Sequence, residues 1–332
     1  MRVQAIRDSI SAVRQQSTQL YLNYFSHHPP RLNPDWEISE SERRAVRILW
    51  PSKYEWAPAS RWMSSLISRF PHLVRVELVD NIPQPYKGTV VFGFEYEGRR
   101  SDAAIVYTDY PAIDPECIRN CALCFKLQYQ REGYGHSHVI PGGYVVDTPR
   151  LYMYLPRLRQ ERNRRDFQFD LYGRFGRDFG TEIRERAMSV LESQNRFRFE
   201  GGLKILPYKD FLQETARAKL CLDLPGRGDF CFRLVNYLAI GSCVIAFPHR
   251  NKLHVPLVPG KHIVYTKPDF SDLVERCEYY LEHPAEREEI ARNAREYFDL
   301  YLHKDNLARY YIRTCIDMLA HKQMPARAAV AR

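Results

Sequence analysis

A loop with two glycines and an arginine follows the apolar run LCLDL at residues 220–224. Gly226 and Gly228 lack a β-carbon and would let a ligand approach the backbone closely. The helix predicted to begin just after this loop offers free N–H groups and a positive dipole to a phosphate. Arg227 in the loop and Arg233 in the helix would add charge-assisted hydrogen bonds. The pattern predicts a phosphate site, although an ordinary turn with solvated arginines has the same composition.

A second glycine-containing turn, YGRFG at residues 172–176, ends another apolar strand. Gly173 would permit close approach of a diphosphate, and Arg174 would neutralise part of its charge. A tight turn with an exposed arginine is the alternative interpretation.

Acidic residues follow several strands predicted in the first half of the chain. Asp109 closes the run AAIVYTD, Glu55 lies in the loop PSKYEWAP, and Asp80 ends VRVELVD. A carboxylate at such a position is a candidate general base for an acceptor hydroxyl. Each is also a typical turn or cap residue. We place Asp109 first and keep Glu55 as the second candidate.

Three cysteines, Cys117, Cys121 and Cys124, have the C-x3-C-x2-C spacing by which radical SAM enzymes hold a [4Fe–4S] cluster. The same spacing places three small apolar residues on one face of a helix. In radical SAM enzymes the motif follows the first strand of a β/α barrel, whereas several strands precede it here. We therefore predict buried thiols and keep an iron–sulfur enzyme as an alternative function.

The segment after these cysteines offers further polar residues. His136 and His138 flank one serine, but two histidines without a nearby carboxylate make a poor metal site. Lys126 and Arg131 flank an aromatic loop, where they would either bind an acceptor or face solvent. We predict that the functional site contains no metal.

The chain carries 49 Lys and Arg against 40 Asp and Glu, a net charge of +9. Most of this excess lies after residue 150, and five arginines fall within residues 157–165. Arginines with interleaved aromatic residues are candidates for contacting a nucleic-acid backbone. Glu161 and Asp166 lower the net positive charge of this arginine-rich stretch. A nucleic-acid-binding or nucleic-acid-modifying protein is thus the second candidate, and solvated arginines or an anionic substrate also account for the excess.

The composition excludes several broad classes. With 45% hydrophobic and 13% aromatic residues among 332, the chain predicts a folded protein of about two domains. No apolar run approaches the ~20 residues of a membrane span, and the polar start MRVQAIRDSISAVRQQ lacks a signal-peptide core. We predict a soluble cytoplasmic protein, either free or associated with the inner face of the membrane.

Strands alternate with amphipathic helices along most of the chain, which predicts an α/β fold. The predicted organisation is a helical extension and linker at 1–39, an α/β domain at 40–150, a linker at 151–165, a Rossmann-like domain at 166–303, and a last helix with a tail at 304–332. The extension is predicted either to cap the first domain or to pair two chains.

The stretch GDFCFRLVNYLAIGSCVIAF resembles the donor-binding segment of GT-B glycosyltransferases. The pattern from Phe230 to Leu234 and the turn Gly241-Ser242 are similar to the protein O-glucosyltransferase (CAP10-like) and exostosin-like branches. Downstream, HIVYTKPDFSDLVERCEYYLEHPAEREEIARNAREYF is similar to the strand and helices that follow in these enzymes. The resemblance covers residues 168–300, and it lacks the Glu that group 1 enzymes have in the donor helix.

The resemblance implies two Rossmann-like domains facing each other across a cleft. It implies transfer of a sugar from a nucleotide-sugar, most simply a UDP-sugar, without a metal. The donor would contact Gly173, Arg174, Gly226, Arg227, Gly228, Asp229, Phe230 and Arg233. The acceptor, whether glycan, protein, lipid-linked or nucleic acid, would bind the N-terminal domain. The last helix would cross back to that domain.

Overall fold

The computed structural model describes residues 30–55, 59–144 and 148–321. The helix predicted within the first 30 residues and the predicted tail after His321 lie outside the described residues. Two sheets organise the described chain, one in each half.

The N-terminal sheet has six strands in the order β2-β1-β3-β4-β5-β6. Their bounds are β1 Val46–Pro51, β2 Arg75–Val79, β3 Thr89–Tyr96, β4 Arg99–Val106, β5 Leu123–Lys126 and β6 Val139–Pro141. Only β3 runs antiparallel to its neighbours within this sheet. The reason is the two-residue turn Glu97-Gly98, where both residues have positive φ and reverse the chain in a tight hairpin. The fourth strand also ends three residues earlier than predicted, so Asp109 lies on a loop.

Short helices cover this sheet: α1 Glu40–Ala45, α2 Ala59–Ile67 and α3 Pro115–Asn120. The first begins with a reciprocal capping box between Ser39 and Glu42. The second buries Met63 and Leu66 against the sheet core. Short 3₁₀ turns lie at Pro34–Trp36 and Phe70–His72.

The C-terminal sheet is parallel throughout, in the order β11-β10-β9-β7-β8. Its strands are β7 Phe169–Arg174, β8 Phe199–Gly202, β9 Ala218–Asp223, β10 Cys243–Ala246 and β11 Val264–Tyr265. The strand order reverses between β7 and β9, so the loops after these two strands diverge to opposite faces. Ligands of doubly wound sheets bind in the crevice at such a switch point.

Helices pack on both sides of this sheet and connect it to the first half. They are α4 Arg150–Asn163, α5 Thr181–Glu192, α6 Tyr208–Ala216, α7 Phe232–Ile240, α8 Leu273–Glu282, α9 Pro284–Tyr297 and α10 Lys304–His321, with a π-helical turn at Phe298–Leu302. The predicted linker therefore includes a full helix, α4, which packs against α6 and α7. None of the described helices is long and apolar enough to cross a membrane.

Helix α10 lies against the N-terminal sheet. Tyr311 stacks on Phe125 of β5 with ring centroids 4.0 Å apart, and its hydroxyl donates to the Gly142 carbonyl at 2.8 Å. Tyr310 donates to the Pro141 carbonyl at 2.7 Å. One continuous hydrophobic core contains residues of both halves. The chain thus forms two α/β units, each a sheet covered by helices, that share one core. This architecture confirms the predicted fold class.

The carboxyl ends of β4 and β5 face those of β9 and β10. The loop after β5 is joined to the loop after β10 by main-chain hydrogen bonds, from Arg131 N to Arg250 O at 3.1 Å and from Lys252 N to Tyr129 O at 2.9 Å. These bonds hold the two halves together at one side of the space between the sheets.

Candidate functional site

A cleft of about 370 Å³ lies where the strand ends of the two sheets meet. The N-terminal half contributes Asp109 and Pro111 after β4 and Gln130 and Glu132 after β5. The C-terminal half contributes the loops after β9 and β10. The full lining is Asp109, Pro111, Gln130, Glu132, Arg227, Gly228, Asp229, Arg250 and Asn251.

Two exposed arginines line this cleft, Arg227 and Arg250, and Arg250 is paired with Asp229. Arg227 is the other. Its guanidinium lies over the rings of Phe179, at 4.2 Å, and Tyr110, at 5.4 Å, and so spans the two halves. Within the described chain, no carboxylate lies within salt-bridge distance of it. An arginine held by aromatic faces rather than by a carboxylate retains its capacity for bidentate binding of phosphate.

Asp109 lies on the N-terminal side of the same cleft. Burial raises the pKa of its carboxyl above the usual range, while a hydrogen bond from Gln128 and the charges of Arg227 and Lys126 act in the opposite direction. The Gln128 Nε2 atom lies 3.5 Å from Asp109 Oδ1. A carboxylate with a raised pKa is suited to accept a proton from a substrate hydroxyl.

Lys126 fixes the backbone that carries Asp109. Its Nζ donates to the Thr108 carbonyl at 2.7 Å and to Thr108 Oγ1 at 3.0 Å. The side chain is completely buried, and this burial lowers the pKa of Lys126 to about 7. The predicted role of Lys126 in acceptor binding is therefore indirect at most, because its ammonium group is not exposed to the cleft.

Arg233, at the start of α7, is turned into the protein. Its Nε lies 3.0 Å from Asp223 Oδ1, and its guanidinium lies 4.4 Å above the Phe175 ring. It also donates to the Leu224 carbonyl. Arg233 thus ties together the ends of β7 and β9, and its charge is balanced by the buried Asp223 carboxylate.

Arg174 is balanced by carboxylates in the same way. Its Nη2 lies 2.7 Å from Glu200 Oε1 and 3.1 Å from Glu214 Oε2, and only 11% of the side chain is exposed. Gly173 is needed for packing, because a β-carbon there would lie 2.9 Å from the Phe175 ring. Of the predicted diphosphate loop, Gly173 is therefore packed against Phe175, and Arg174 is paired with two carboxylates of the protein.

The loop after β9 also contains Asp229, which binds the loop after β10, and Gly228, which contacts Gln128 of the N-terminal half. We call the contact between Gly228 and Gln128 the seam between the halves. Asp229 accepts hydrogen bonds from the main-chain N–H of Arg250 at 2.5 Å and of Asn251 at 3.2 Å, and the Arg250 guanidinium lies 2.7 Å away. A β-carbon on Gly228 would lie 2.4 Å from Gln128 Nε2. The close approach that this glycine permits is therefore to the other half of the chain.

Gly226 and Phe230 also pack within this loop. A β-carbon on Gly226 would lie 3.1 Å from Cys231 Sγ. The Phe230 ring lies 4.8 Å from that of His249. Both residues shape the entrance to α7.

Glu55 supports the Asp109 loop from the other side. Its Oε2 accepts hydrogen bonds from Gly88 N at 3.1 Å and from the Tyr107 hydroxyl at 3.0 Å. Asp80 bonds to the Ser52 hydroxyl. Of the three acidic candidates, only Asp109 lines the cleft.

Two residues important for this geometry were not identified from the sequence. Arg184 on α5 is buried and donates to the Gly176 carbonyl at 2.6 Å and the Pro225 carbonyl at 3.0 Å, which joins the loops after β7 and β9. Gln128 joins the two halves. The alternation of Lys126, Gln128 and Gln130 is the signal that could have indicated Gln128, because alternate residues share one face.

The arginine-rich stretch at 157–165 is used partly for packing. Arg159 forms a bidentate pair with Asp299, at 2.7 and 3.1 Å, and donates to the Ala239 carbonyl at 2.8 Å. Arg162 is buried and donates to the Gly241 carbonyl at 3.1 Å. The nucleic-acid interpretation therefore loses two of the five arginines on which it depended.

The prediction that the three cysteines share one helix face is wrong. Cys117 lies in α3, Cys121 caps its C-terminus, and Cys124 lies on β5, because the helix ends at Asn120. All three are buried as predicted.

Two Rossmann-like domains whose strand ends face a shared cleft define a GT-B-like architecture. Residues 156–311 match the family described as glycosyl transferase-like. This match confirms the predicted glycosyltransferase class for that part of the chain, whereas the narrower similarity to CAP10-like and exostosin-like branches stays a prediction. The sequence matches no curated protein.

Two crystal structures of HepE from Anabaena were also matched. The first, in complex with UDP-glucose, is 16% identical with a TM-score of 0.36, and the match covers 61% of this chain and 65% of that one. The second, in complex with UDP and glucose, is 15% identical with a TM-score of 0.38, and the match covers 76% and 88%. The chain thus spans just under two thirds of the first HepE chain.

Proposed function

We propose that this protein transfers a sugar from a nucleotide-sugar to an acceptor hydroxyl, with the reaction taking place in the cleft between the two sheets. The observation that carries the proposal is the placement of Asp109 and Arg227. A half-buried carboxylate from the N-terminal half and an arginine that pairs with no described carboxylate line the same 370 Å³ cleft. A general base and an anion-binding group are the two components that an inverting glycosyl transfer requires, and a retaining transfer requires the second.

On the donor side, Arg227 and the start of α7 would hold the diphosphate. The N-cap residue of this helix, Cys231, forms no side-chain capping hydrogen bond. Apart from the Leu234 N–H, which donates to the Cys231 carbonyl at 3.1 Å, the first-turn N–H groups of this helix and the positive end of its dipole would suit an anion. Arg233, Arg174 and Asp229 would act indirectly, by positioning these loops through their own ion pairs.

The reaction joins the acceptor oxygen to the anomeric carbon of the sugar. The bond from that carbon to the phosphate oxygen breaks, and its electron pair leaves with the nucleoside diphosphate. Arg227 would stabilise the negative charge that develops there. In an inverting transfer the hydroxyl proton passes to Asp109, whereas in a retaining transfer it passes to the leaving phosphate and Asp109 is not needed as a base.

A UDP-sugar is the first donor to test, and the acceptor is taken to be a glycan, protein, lipid-linked sugar or nucleic acid. We propose that transfer requires no metal at the donor site, because arginine and a helix N-terminus supply the positive charge. Association with the inner membrane face and pairing of two chains are further proposals. Neither is needed for the chemistry of the cleft.

The test is thermal unfolding of the purified protein with a panel of nucleoside diphosphates and nucleotide-sugars. A ligand at 100 times its dissociation constant stabilises the folded state by about 2.7 kcal/mol. Stabilisation by one diphosphate family, lost in Arg227→Ala and retained in the surface control Arg44→Ala, would support the donor site. If every nucleotide leaves the unfolding temperature of the intact protein unchanged, the proposal is wrong.

A further inference from the structure

The three sulfur atoms of Cys117, Cys121 and Cys124 lie within 4.8 Å of one another. The exposed fractions of these residues are 0%, 4% and 0%. Among residues 30–55, 59–144 and 148–321, this is the only group of three or more His, Cys, Asp or Glu side chains that converges in this way. The proposed sugar transfer uses none of the three.

The local fold brings these thiols together from separate elements. Helix α3 ends after Asn120, and the Cys121 N–H closes its last turn on the Cys117 carbonyl at 3.0 Å. The chain then turns into β5, where the Cys124 thiol faces back to the same carbonyl at 3.7 Å. A helix end, its cap and a strand therefore present sulfur to one point, which simple packing of an apolar core does not require.

The spacing of the sulfurs fits a single metal ion. With zinc–sulfur bonds of about 2.3 Å, tetrahedral geometry sets the sulfur atoms roughly 3.8 Å apart. Small side-chain rotations would bring three thiolates from within 4.8 Å to this separation. An iron–sulfur cluster binds each thiolate to a different iron of a multi-atom core, and it would need a wider arrangement.

His138 is the candidate for the fourth ligand, although its ring nitrogens lie outside the 4.8 Å group formed by the three sulfur atoms, so its side chain would have to rotate toward them to bind. Its main-chain carbonyl accepts a hydrogen bond from Cys124 N at 2.8 Å, so it lies directly beside the cysteines. Its Nε2 lies 2.8 Å from the Ile118 carbonyl, in the helix turn between Cys117 and Cys121. A histidine that donates from one ring nitrogen to a backbone carbonyl has its other nitrogen free to bind metal, and this is the usual arrangement of metal-bound histidines.

We propose that Cys117, Cys121, Cys124 and His138 bind one structural zinc ion. Such a site would be closed, with four protein ligands and no position for substrate. It would tie α3 to β5 and β6, the strands that bracket the loop carrying Gln128 and Gln130. The ion would therefore stabilise one wall of the cleft without taking part in the transfer.

The first experiment is elemental analysis of the purified full-length protein. We expect about one zinc per chain, and loss of that zinc in Cys117→Ser and Cys124→Ser. Cys277→Ser is the matched control, since Cys277 is equally buried in α8 but distant in the fold. His138→Ala should weaken zinc binding at least tenfold in a chelator competition, whereas His136→Ala should not.

Cobalt substitution keeps the proposal testable if the serine variants do not fold. The unaltered protein reconstituted with Co²⁺ should show the intense near-ultraviolet bands of thiolate-to-cobalt charge transfer and visible bands typical of tetrahedral coordination. A folded protein that purifies without zinc and shows no such bands would overturn the proposal. Iron with acid-labile sulfide, or a disulfide between two of these cysteines, would overturn it as well.

Discussion

The side-chain amide of Gln128 bonds to both main-chain polar groups of Phe230. Its Nε2 donates to the Phe230 carbonyl at 2.8 Å, and its Oε1 accepts from the Phe230 N–H at 3.3 Å. The same Nε2 lies 3.5 Å from Asp109. One buried amide therefore connects the candidate base in the N-terminal half to the start of α7 in the C-terminal half.

Replacing Gln128 with Ala should destabilise the protein and impair the cleft. Two buried main-chain groups of Phe230 would lose their partner, and each unsatisfied group costs about 1–3 kcal/mol. Urea unfolding monitored by circular dichroism measures the change. Gln130→Ala, two residues along and only partly buried, serves as the control. An equal loss of stability in both variants would contradict the role assigned to Gln128.

Arg227→Ala should reduce transfer without reducing stability. The side chain is exposed, so its removal leaves no buried group unpaired. Loss of one group that stabilises charge in a transition state typically costs 10²–10³ in rate. Steady-state kinetics with the donor found by the thermal screen would measure this, alongside the unfolding temperature. Full activity in the variant would exclude Arg227 from the donor site.

Asp109→Asn should abolish an inverting transfer, whereas Glu55→Gln should change the rate less than tenfold. Glu55 accepts the hydrogen bonds from Gly88 and Tyr107 on one oxygen, Oε2, and glutamine retains an amide oxygen that can accept both. Because burial raises the pKa of Asp109, the rate should rise with pH through that raised value. The acid limb of the pH–rate profile should therefore lie above the pH at which an exposed aspartate titrates. A retained rate in Asp109→Asn would indicate a retaining mechanism.

Lys126 should contribute a characteristic dependence of stability on pH. Burial lowers its pKa to about 7 in the folded protein, and an unfolded lysine titrates near 10.4. Between these values the unfolded chain binds more protons, so the free energy of unfolding rises with pH over this window. Below pH 7 both states are protonated and the cost of burying the charge is fully present.

The test compares the free energy of unfolding of the unaltered protein with that of Lys126→Met over a range of pH. In the variant, the free energy of unfolding should lack the increase between pH 7 and pH 10 that Lys126 causes. This increase is on the order of a few kcal/mol. Parallel pH profiles of the two proteins would contradict the folded-state pKa of Lys126. In the kinetics, loss of the Lys126 charge should move the acid limb assigned to Asp109 to higher pH.

Gly228→Ala should disrupt the seam, whereas Gly176→Ala should be tolerated. The added β-carbon at Gly228 would lie 2.4 Å from Gln128 Nε2, inside the contact distance of any real side chain, and the nearest atom to one at Gly176 lies 3.4 Å away in Ile205. Thermal unfolding of both variants distinguishes the two. Equal unfolding temperatures would show that the seam can shift to admit a methyl group.

Much of the fold could be predicted from the sequence, because each element has a local signature. The apolar runs before Gly226 and before Gly173 indicated β9 and β7, and the amphipathic pattern after each indicated a helix. The placement of Arg227 on a loop at a strand end followed from the same patterns, whereas Asp109, predicted to close its strand, lies three residues beyond the end of β4. One local signal was missed, the Glu97-Gly98 hairpin that makes β3 antiparallel.

The sequence by itself determined which loops could reach the cleft, whereas the tertiary structure decided which of their charges are free. Arg174 and Arg233 have the same residue type as Arg227, but partners distant in sequence or on another element neutralise them: Glu214 for Arg174 and Asp223 for Arg233. Charge balance depends on three-dimensional proximity, which spacing along the chain does not encode. The convergence of three cysteines from a helix, its cap and a strand was decided in the same way, by where α3 ends.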